Sequence, residues 1–286
     1  MSRSLIACAL EARTATILRV KSSGGPSCTV TACRTLGYGL EELLGPKAKK
    51  ALSKIANAIG EWRDEPVALS ISPSSLLTLP AWFPCCASKA ERDSIARVEA
   101  GHFVREPGEW SWESMPVEHA EGSPDGLEHR LLLFSAAEPA RGAARELAQR
   151  FPRVTAGLHF EPLARLTAGS DEPMAILELE EEYAVFLVSR RGRADYFRYW
   201  PVKHASEREF FAITELESSP LDRVQVTGLA ADPATVRRIA AATPRALEPL
   251  AIPPQVSTTE ARGFRASTGT LRAVAMAMAT LADGYK

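Results

Sequence analysis

The sequence predicts an α/β fold made by internal duplication, and three observations predict it. Leu5–Val20 is an apolar run, a short polar interruption and a second apolar run, and Ala175–Val188 repeats that form. Such a segment reads as a β-hairpin with largely buried strands. Each hairpin opens one half of the chain, and each half continues with a third strand, a helix, a strand and a helix. The bulk numbers allow this, because 286 residues that are 45% hydrophobic can bury one large core or two modest ones.

In the first half, Leu5–Ala9 and Thr14–Val20 form the hairpin, Ser22–Pro26 a turn and Cys28–Thr35 an alternating third strand. Leu43, Leu44, Ala48, Leu52, Ile55, Ala58, Ile59 and Trp62 recur at three- and four-residue steps, which predicts one helix over Leu40–Trp62. Pro66–Ile71 reads as a buried strand. Leu76–Leu79 reads as an edge strand ended by Pro80 and Pro84. Ser88 with Glu91 three residues later is a capping box, starting a helix to about Val104 that stops at Glu106-Pro-Gly108. Trp110–Val117 and Glu128–Ser135 are strands joined by the loop Glu121–Gly126, Pro139–Arg150 is a helix, and Val154–Phe160 continues into Glu161–Leu166.

Gly169-Ser-Asp-Glu-Pro173 has the composition of a linker. After it come the second hairpin, the turn Arg190–Arg193 and a third strand, Ala194–Val202. A helix over Ser206–Ser218, a strand over Arg223–Thr227, a helix over Pro233–Ala242 and an Ala-rich amphipathic helix over Ser267–Ala282 complete the pattern. The expected division is residues 1–168, with an insertion at about 72–127, and residues 169–286.

Formal net charge is −1, from 34 basic and 35 acidic residues, so bulk electrostatics recommend neither nucleic acid nor an anionic membrane as partner. No apolar run reaches membrane-spanning length, and Met1-Ser-Arg-Ser lacks the apolar stretch of a signal peptide. A soluble, unexported protein is expected, with no direct membrane insertion. Cys8, Cys28, Cys33, Cys85 and Cys86 are odd in number and form no CxxC pair, so they read as reduced thiols. His102, His119, His129, His159 and His204 lack ligand spacing, and no metal site is expected.

Val67-Ala-Leu-Ser-Ile-Ser-Pro-Ser-Ser-Leu-Leu-Thr-Leu-Pro80, then Ser88–Val104 and Glu106-Pro-Gly-Glu-Trp-Ser-Trp112, form the most specific stretch. With the element order, it resembles the PilM family of type IV pilus assembly proteins and the cytoplasmic part of type II secretion GspL proteins, a branch of the actin and hexokinase superfamily. Arg141–Leu166 is similar to the family's segment leading into its second half. The resemblance covers nearly the whole chain. It implies an actin-like (ribonuclease H-like) duplicated fold with a small α+β subdomain inserted in the first half.

The family's nucleotide motifs do not carry over. Where the first phosphate hairpin would have Asp, Gly and Lys, this chain has Ala9, Glu11 and Thr16. Without Asp there is no hard oxygen ligand for Mg²⁺, and Glu11 would set negative charge against a phosphate. The second hairpin has Glu178 for Asp and Glu180 for Gly, followed by Glu181 and Glu182. The adenosine motif keeps Gly228 but has Leu229 where a second Gly is expected. Only Lys203–Asp222 separates the third strand of the second half from the adenosine strand, so the subdomain covering the nucleotide in active relatives is expected to be missing. The resemblance therefore implies no cofactor and a non-catalytic pseudo-ATPase.

Glu178–Glu182 by itself reads as a solvated hairpin turn rather than an acid/base or metal cluster. Ser70, Ser72, Ser74 and Ser75 lack a nucleophile elbow, and Gly24-Gly25 lacks the Lys of a phosphate loop. Trp82, Phe83, Phe103, Trp110 and Trp112 either fill the core of the small subdomain or line a peptide groove. Core filling is the stronger reading. By analogy with PilM relatives, where a membrane partner's peptide docks beside the insertion, Leu79 and these aromatics are the candidate groove. Arg190, Arg191, Arg193 and Arg198 form a basic patch, read as a solvated turn or, less readily, as a dock for an acidic surface.

The expected function is a cytoplasmic scaffold in a pilus or secretion-type assembly. It would bind the cytoplasmic segment of a PilN-like inner-membrane partner, peripheral to that membrane, with a homodimer open. The alternatives are a divergent nucleotide-binding ATPase or kinase of the same superfamily and an actin-like polymer former.

Overall fold

A strand that is apolar on both sides needs cover on both faces. That is the condition of β1 (Arg3–Leu10), buried without a break from Leu5 to Leu10. It pairs antiparallel with β2 (Ala15–Ser22) and parallel with β4 (Val67–Ile71). Outside these lie β3 (Cys28–Leu36) and β8 (Val154–Leu158). This computed structural model describes residues 3–22, 27–73, 75–104, 110–117, 126–136 and 138–282. The expected Ser22–Pro26 turn beyond Ser22, Gly24-Gly25, Ser74, the Glu106–Gly108 stop and residues 121–125 of the expected loop lie outside the described residues.

The second half repeats the plan. β9 (Met174–Leu179) pairs antiparallel with β10 (Tyr183–Arg190), which pairs with β11 (Arg193–Pro201). β9 also runs parallel to β12 (Arg223–Thr227), which pairs with β13 (Ala246–Pro249). The strand orders β3-β2-β1-β4-β8 and β11-β10-β9-β12-β13 are the same order twice. The register repeats as well. Leu10 faces Ala15 and Leu179 faces Ala184, and each turn is closed by one backbone bond, Glu11 N–H to Thr14 O and Glu180 N–H to Tyr183 O, both 2.9 Å. The residues of the first turn therefore superpose in kind on those of the second.

A third, separate sheet has the order β5-β7-β6, formed by β5 (Leu77–Pro84), β6 (Trp110–Pro116) and β7 (Leu127–Ala136). α3 (Lys89–Gly101) covers one face of it, with Leu79, Ala81, Phe83, Ala96, Ala100, Leu132 and Phe134 as its core. Ser88 caps α3 by the expected box, accepting from Glu91 N–H while the Glu91 carboxylate accepts from Ser88 N–H. β5 does not end at Pro80. It continues to Pro84 because it is an edge strand, where a missing N–H can face away from the ladder.

Several elements differ from the sequence expectation. The helix expected over Leu40–Trp62 is broken into α1 (Leu40–Leu44) and α2 (Ala48–Ile59), then a 3₁₀ turn over Gly60–Trp62. The break is at Gly45-Pro46, where Gly45 is extended, as the ring of a following proline demands. β13 and the two-residue β14 (Val256–Ser257), which pairs with β3, are too short to be legible by periodicity. α4 (Glu138–Ala148), the short α5 (Phe160–Ala164), α6 (Ala205–Ser218) and α7 (Pro233–Ala242) lie close to their expected positions. β11 and β12 are joined by α6 alone.

α8 (Thr268–Ala282) was expected to be amphipathic, but every residue from Gly269 to Met278 is buried. A helix covered all round belongs to an interior, and this one packs on β1, β2 and β4. The chain forms two compact units, and they do not follow the division expected after residue 168. One unit holds Met1–Pro73, Ala137–Gly169 and Ile252–Lys286, so the C-terminal segment belongs with the first sheet. The other holds Ser74–Ala136 and Ser170–Ala251, so the small sheet groups with the second half.

Candidate functional site

The two hairpin turns are the positions that the sequence resemblance marks as the phosphate hairpins. In the first unit, Ala9 is buried opposite Thr16 and offers a methyl group where a carboxylate was expected. Glu11 turns inward rather than to solvent. Its Oε1 accepts from Arg272 Nη1 at 2.9 Å, and its Oε2 accepts from the Thr14 hydroxyl at 2.7 Å. Both members of the ion pair are almost fully buried. Arg272 comes from the first turns of α8, and Gly269 lets that helix approach: a Cβ there would stand 2.4 Å from Thr16 Oγ1 and 2.7 Å from Glu11 Oε2. Burial pulls the Arg272 pKa down to about 10, opposed by Glu11, so the guanidinium is cationic at neutral pH.

His159 completes this buried group. Its Nδ1 lies 3.2 Å from the Ile71 carbonyl, and its own N–H donates to the same oxygen at 3.1 Å. Burial first, then the charge of Arg272, hold the imidazole well below its usual pKa, against the opposing pull of the Ile71 contact and of Glu11. The ring is therefore neutral beside the cation.

In the second unit the corresponding turn is also closed by its own side chains. The reading of Glu178–Glu182 as a solvated turn is corrected for two of its members. Glu178 and Glu180 are buried, and only Glu181 and Glu182 face solvent. Glu178 lies in mid-sheet and accepts from the Tyr183 hydroxyl at 3.4 Å, with Tyr183 stacked on Tyr199. Glu180 Oε1 accepts from the Leu229 N–H at 3.2 Å, and its carbonyl accepts from buried Arg208 at 3.0 Å. Gly228 has φ +112°, and a Cβ on it would stand 2.0 Å from the Leu179 carbonyl oxygen, so only glycine fits between β12 and this turn. Leu229 itself projects to solvent.

These residues do not fit a Mg²⁺–nucleotide. Ala9 cannot ligate the ion, and Glu11 puts a carboxylate where a phosphate would come. Arg272, the cation at this turn, is already paired with Glu11. The Leu229 amide is bound to Glu180 in the same way. The sequence reading singled out Ala9, Glu11, Thr16, Glu178, Glu180, Gly228 and Leu229, but not Thr14, His159, Gly269, Arg208 or Arg272. Arg272 had one signal, a single charge within the apolar run from Leu271 to Leu281.

The groove candidates do not line one surface. Leu79 and Phe83 are core residues beneath α3, and Trp110 and Trp112 pack half-buried against that same core. Trp82 points from the opposite face of β5, 39% exposed, its ring 4.7 Å from that of His129. Phe103 is 62% exposed, just beyond the end of α3. Core filling thus accounts for Leu79 and Phe83, and for most of Trp110 and Trp112. Trp82 and Phe103 remain as exposed aromatics.

No protein-family model matches the chain, and no curated protein matches it by sequence. Among solved structures it is similar to the PilM-PilN type IV pilus biogenesis complex, with a TM-score of 0.74 over 96% of this chain and 98% of that one at 14% identity. It is also similar to a Bacteroides thetaiotaomicron protein of unknown function with an actin-like ATPase fold, with a TM-score of 0.56 at 8% identity over 86% and 90% of the two chains. The cytoplasmic domain of EpsL, an inner-membrane component of the Vibrio cholerae type II secretion system, follows at 0.51 and 12% identity over 98% and 95%. The fold is therefore the actin-like α/β fold, and the resemblance to PilM- and GspL-type proteins holds at the level of fold.

Removing one partner of a buried ion pair strands the other, at roughly 3–5 kcal/mol, whereas replacing both by apolar groups is close to neutral. Arg272→Met alone is thus expected to lower unfolding stability by about that amount in urea. Glu11→Leu with Arg272→Met is expected to recover most of it; equal loss in single and double variants would contradict the pairing.

The unfolded chain protonates His159 near 6.5 while the folded chain resists it, so the unfolded state binds more protons below that pH. Stability present above 6.5 should fall as pH drops from there, by up to about 1.4 kcal/mol per pH unit. A urea series from neutral to mildly acid pH should show that slope, and His159→Gln should flatten it.

Proposed function

We propose that the chain is a non-catalytic, actin-fold scaffold of a type IV pilus or type II secretion-like assembly, acting at the cytoplasmic side of the inner membrane through a partner. The observation that carries this reading is the first hairpin, where Glu11 and Arg272 neutralise each other in the place a nucleotide phosphate would need. The full-length likeness to a PilM-PilN complex supports a PilN-like partner. No helix among the described residues is long and apolar enough to cross a membrane, so attachment through such a partner is consistent with the chain.

The exposed aromatics of the small-sheet region supply the contact in this reading. Trp82 has a partly accessible ring on a β-sheet edge strand, and Phe103, beyond the end of α3, is the more exposed aromatic of this region. An amphipathic peptide segment would bury the Trp82 ring with little loss of side-chain freedom, because aromatics have few rotatable bonds, and Phe103 would contribute only to a segment long enough to reach the end of α3.

Capture of the cytoplasmic segment of the PilN-like protein encoded in the same genome tests this. Trp82→Ala is expected to leave the fold intact and weaken capture at least tenfold by biolayer interferometry, and Phe103→Ala to weaken it less. Trp110→Ala is expected mainly to destabilise the small sheet. Unchanged capture in a folded Trp82→Ala protein would remove this surface from the account.

A further inference from the structure

At the end of the second sheet opposite the Glu180 turn, β10 passes into β11 through a two-residue turn that no part of the scaffold reading uses. Its residues are Arg191 and Gly192, with φ of +51° and +78°. Among the described residues, Arg191 is the only one other than glycine with positive φ. Asn, Asp or Gly suit that position, and a long side chain there is strained. Arg190 and Arg193 face each other directly in the register, and like charges opposed across a strand pair destabilise it. Three arginines are thus held in an arrangement that local stability opposes, and such departures concentrate where a surface serves something else.

The turn is tied down. Arg191 N–H donates to the Ser170 carbonyl at 3.1 Å, and its Nε donates to Asp171 Oδ1 at 2.7 Å. Asp171, Arg190, Arg191 and Arg193 line a depression of about 570 Å³. Adjoining it, with Arg190 on the rim of both, is a second cavity of about 400 Å³. Pro173, Phe186, Val188, Tyr196, Pro220 and Leu221 give that cavity an apolar wall beyond the end of α6. Its volume is in the range of cavities that take specific ligands.

The charges are layered. Glu215 is buried under Tyr196 and Arg198, which donate to it at 3.0 and 2.7 Å, and Asp195 is buried 3.4 Å from Arg190. The guanidinium groups are the outer members: Arg190, Arg191 and Arg198 have side chains 43%, 71% and 48% exposed, against 6% for Asp195 and 2% for Glu215. Asp171, paired with Arg191, is an exposed carboxylate at this rim, and its neighbour Glu172 is exposed as well. A guanidinium carries five N–H donors, more than one carboxylate oxygen uses, so each of these arginines can receive a second anion.

We propose that this paired depression is a docking site for an acidic peptide segment of a partner protein. An aromatic or branched side chain would enter the apolar cavity, and flanking carboxylates would meet Arg190, Arg191 and Arg193. Charge complementarity selects the acidic partner, and the two adjoining depressions suit an extended segment. The site is independent of the scaffold reading and of the Trp82 surface.

The test is selection of a random heptapeptide phage library on the full chain, with counter-selection on the Arg191→Glu/Arg193→Glu variant. Enriched peptides are expected to place two acidic residues within three positions of a Phe, Trp, Leu or Ile. By fluorescence anisotropy they should bind wild type at least tenfold tighter than the variant, and lose most binding in 0.5 M NaCl. Arg193→Ala, a milder change, should lower affinity at least threefold should the double variant fold poorly. Arg191→Asn should raise the melting temperature by about 2 °C while weakening binding, which separates stability from recognition. No enrichment over the variant, enrichment of basic peptides, or equal affinity for wild type and Arg193→Ala would each overturn the proposal.

Discussion

The buried pair of Glu11 and Arg272 is the interaction on which the first unit depends. It joins the turn between β1 and β2 to a helix 261 residues further along the chain. A charge in that interior is tolerated only with its partner in place, so the pair ties the C-terminal helix to the opening hairpin more specifically than the small apolar side chains around it. Gly269 follows from the pair, since α8 must come close enough for Arg272 to reach. Burial keeps His159 neutral, and the charge of Arg272 beside it acts in the same direction. A buried ion pair adds little net stability over an apolar core; what it specifies here is which helix sits on which turn.

Duplication makes the second turn a comparison built into the same chain. Glu180 occupies the position of Glu11, with the same closing backbone bond, and it too is turned inward. Its partners differ: an amide from Leu229 replaces the Arg272 guanidinium, while Arg208 binds the carbonyl instead of the carboxylate. Two unrelated sets of neighbours have thus accommodated an acid at the same place. In both, the protein supplies the anion itself, and the hydrogen-bonding groups that would receive a phosphate are engaged with it. This is the observation behind the proposal that the chain serves as a platform.

Much of the fold was legible in the sequence because each half is written in a repeated hydrophobic pattern. β1, β2, β9, β10, β12 and the Ser88 cap all follow from local chemistry. The Leu40–Trp62 helix was misread because its apolar spacing continues across Gly45-Pro46, and periodicity does not register what a proline does to the residue before it. Glu178 and Glu180 were misread because a charge run is ordinarily solvated; their burial depends on Tyr183 and Leu229, and no local pattern announces those contacts. The partner of Glu11 is 261 residues away, a pairing that only the folded chain reveals. Of the aromatics, period-two spacing correctly put Trp110 and Trp112 on one face, whereas Trp82 belongs to the other.

The central claim is that the seat of the phosphate holds the chain's own carboxylate. Calorimetric titration of the purified protein with Mg-ATP, with a melting curve in its presence and absence, tests it most directly, since a ligand held only by the native state raises the melting point. The account predicts no heat of binding and no shift. Micromolar binding with a raised melting temperature would contradict it, and would restore the divergent ATPase or kinase as the better reading.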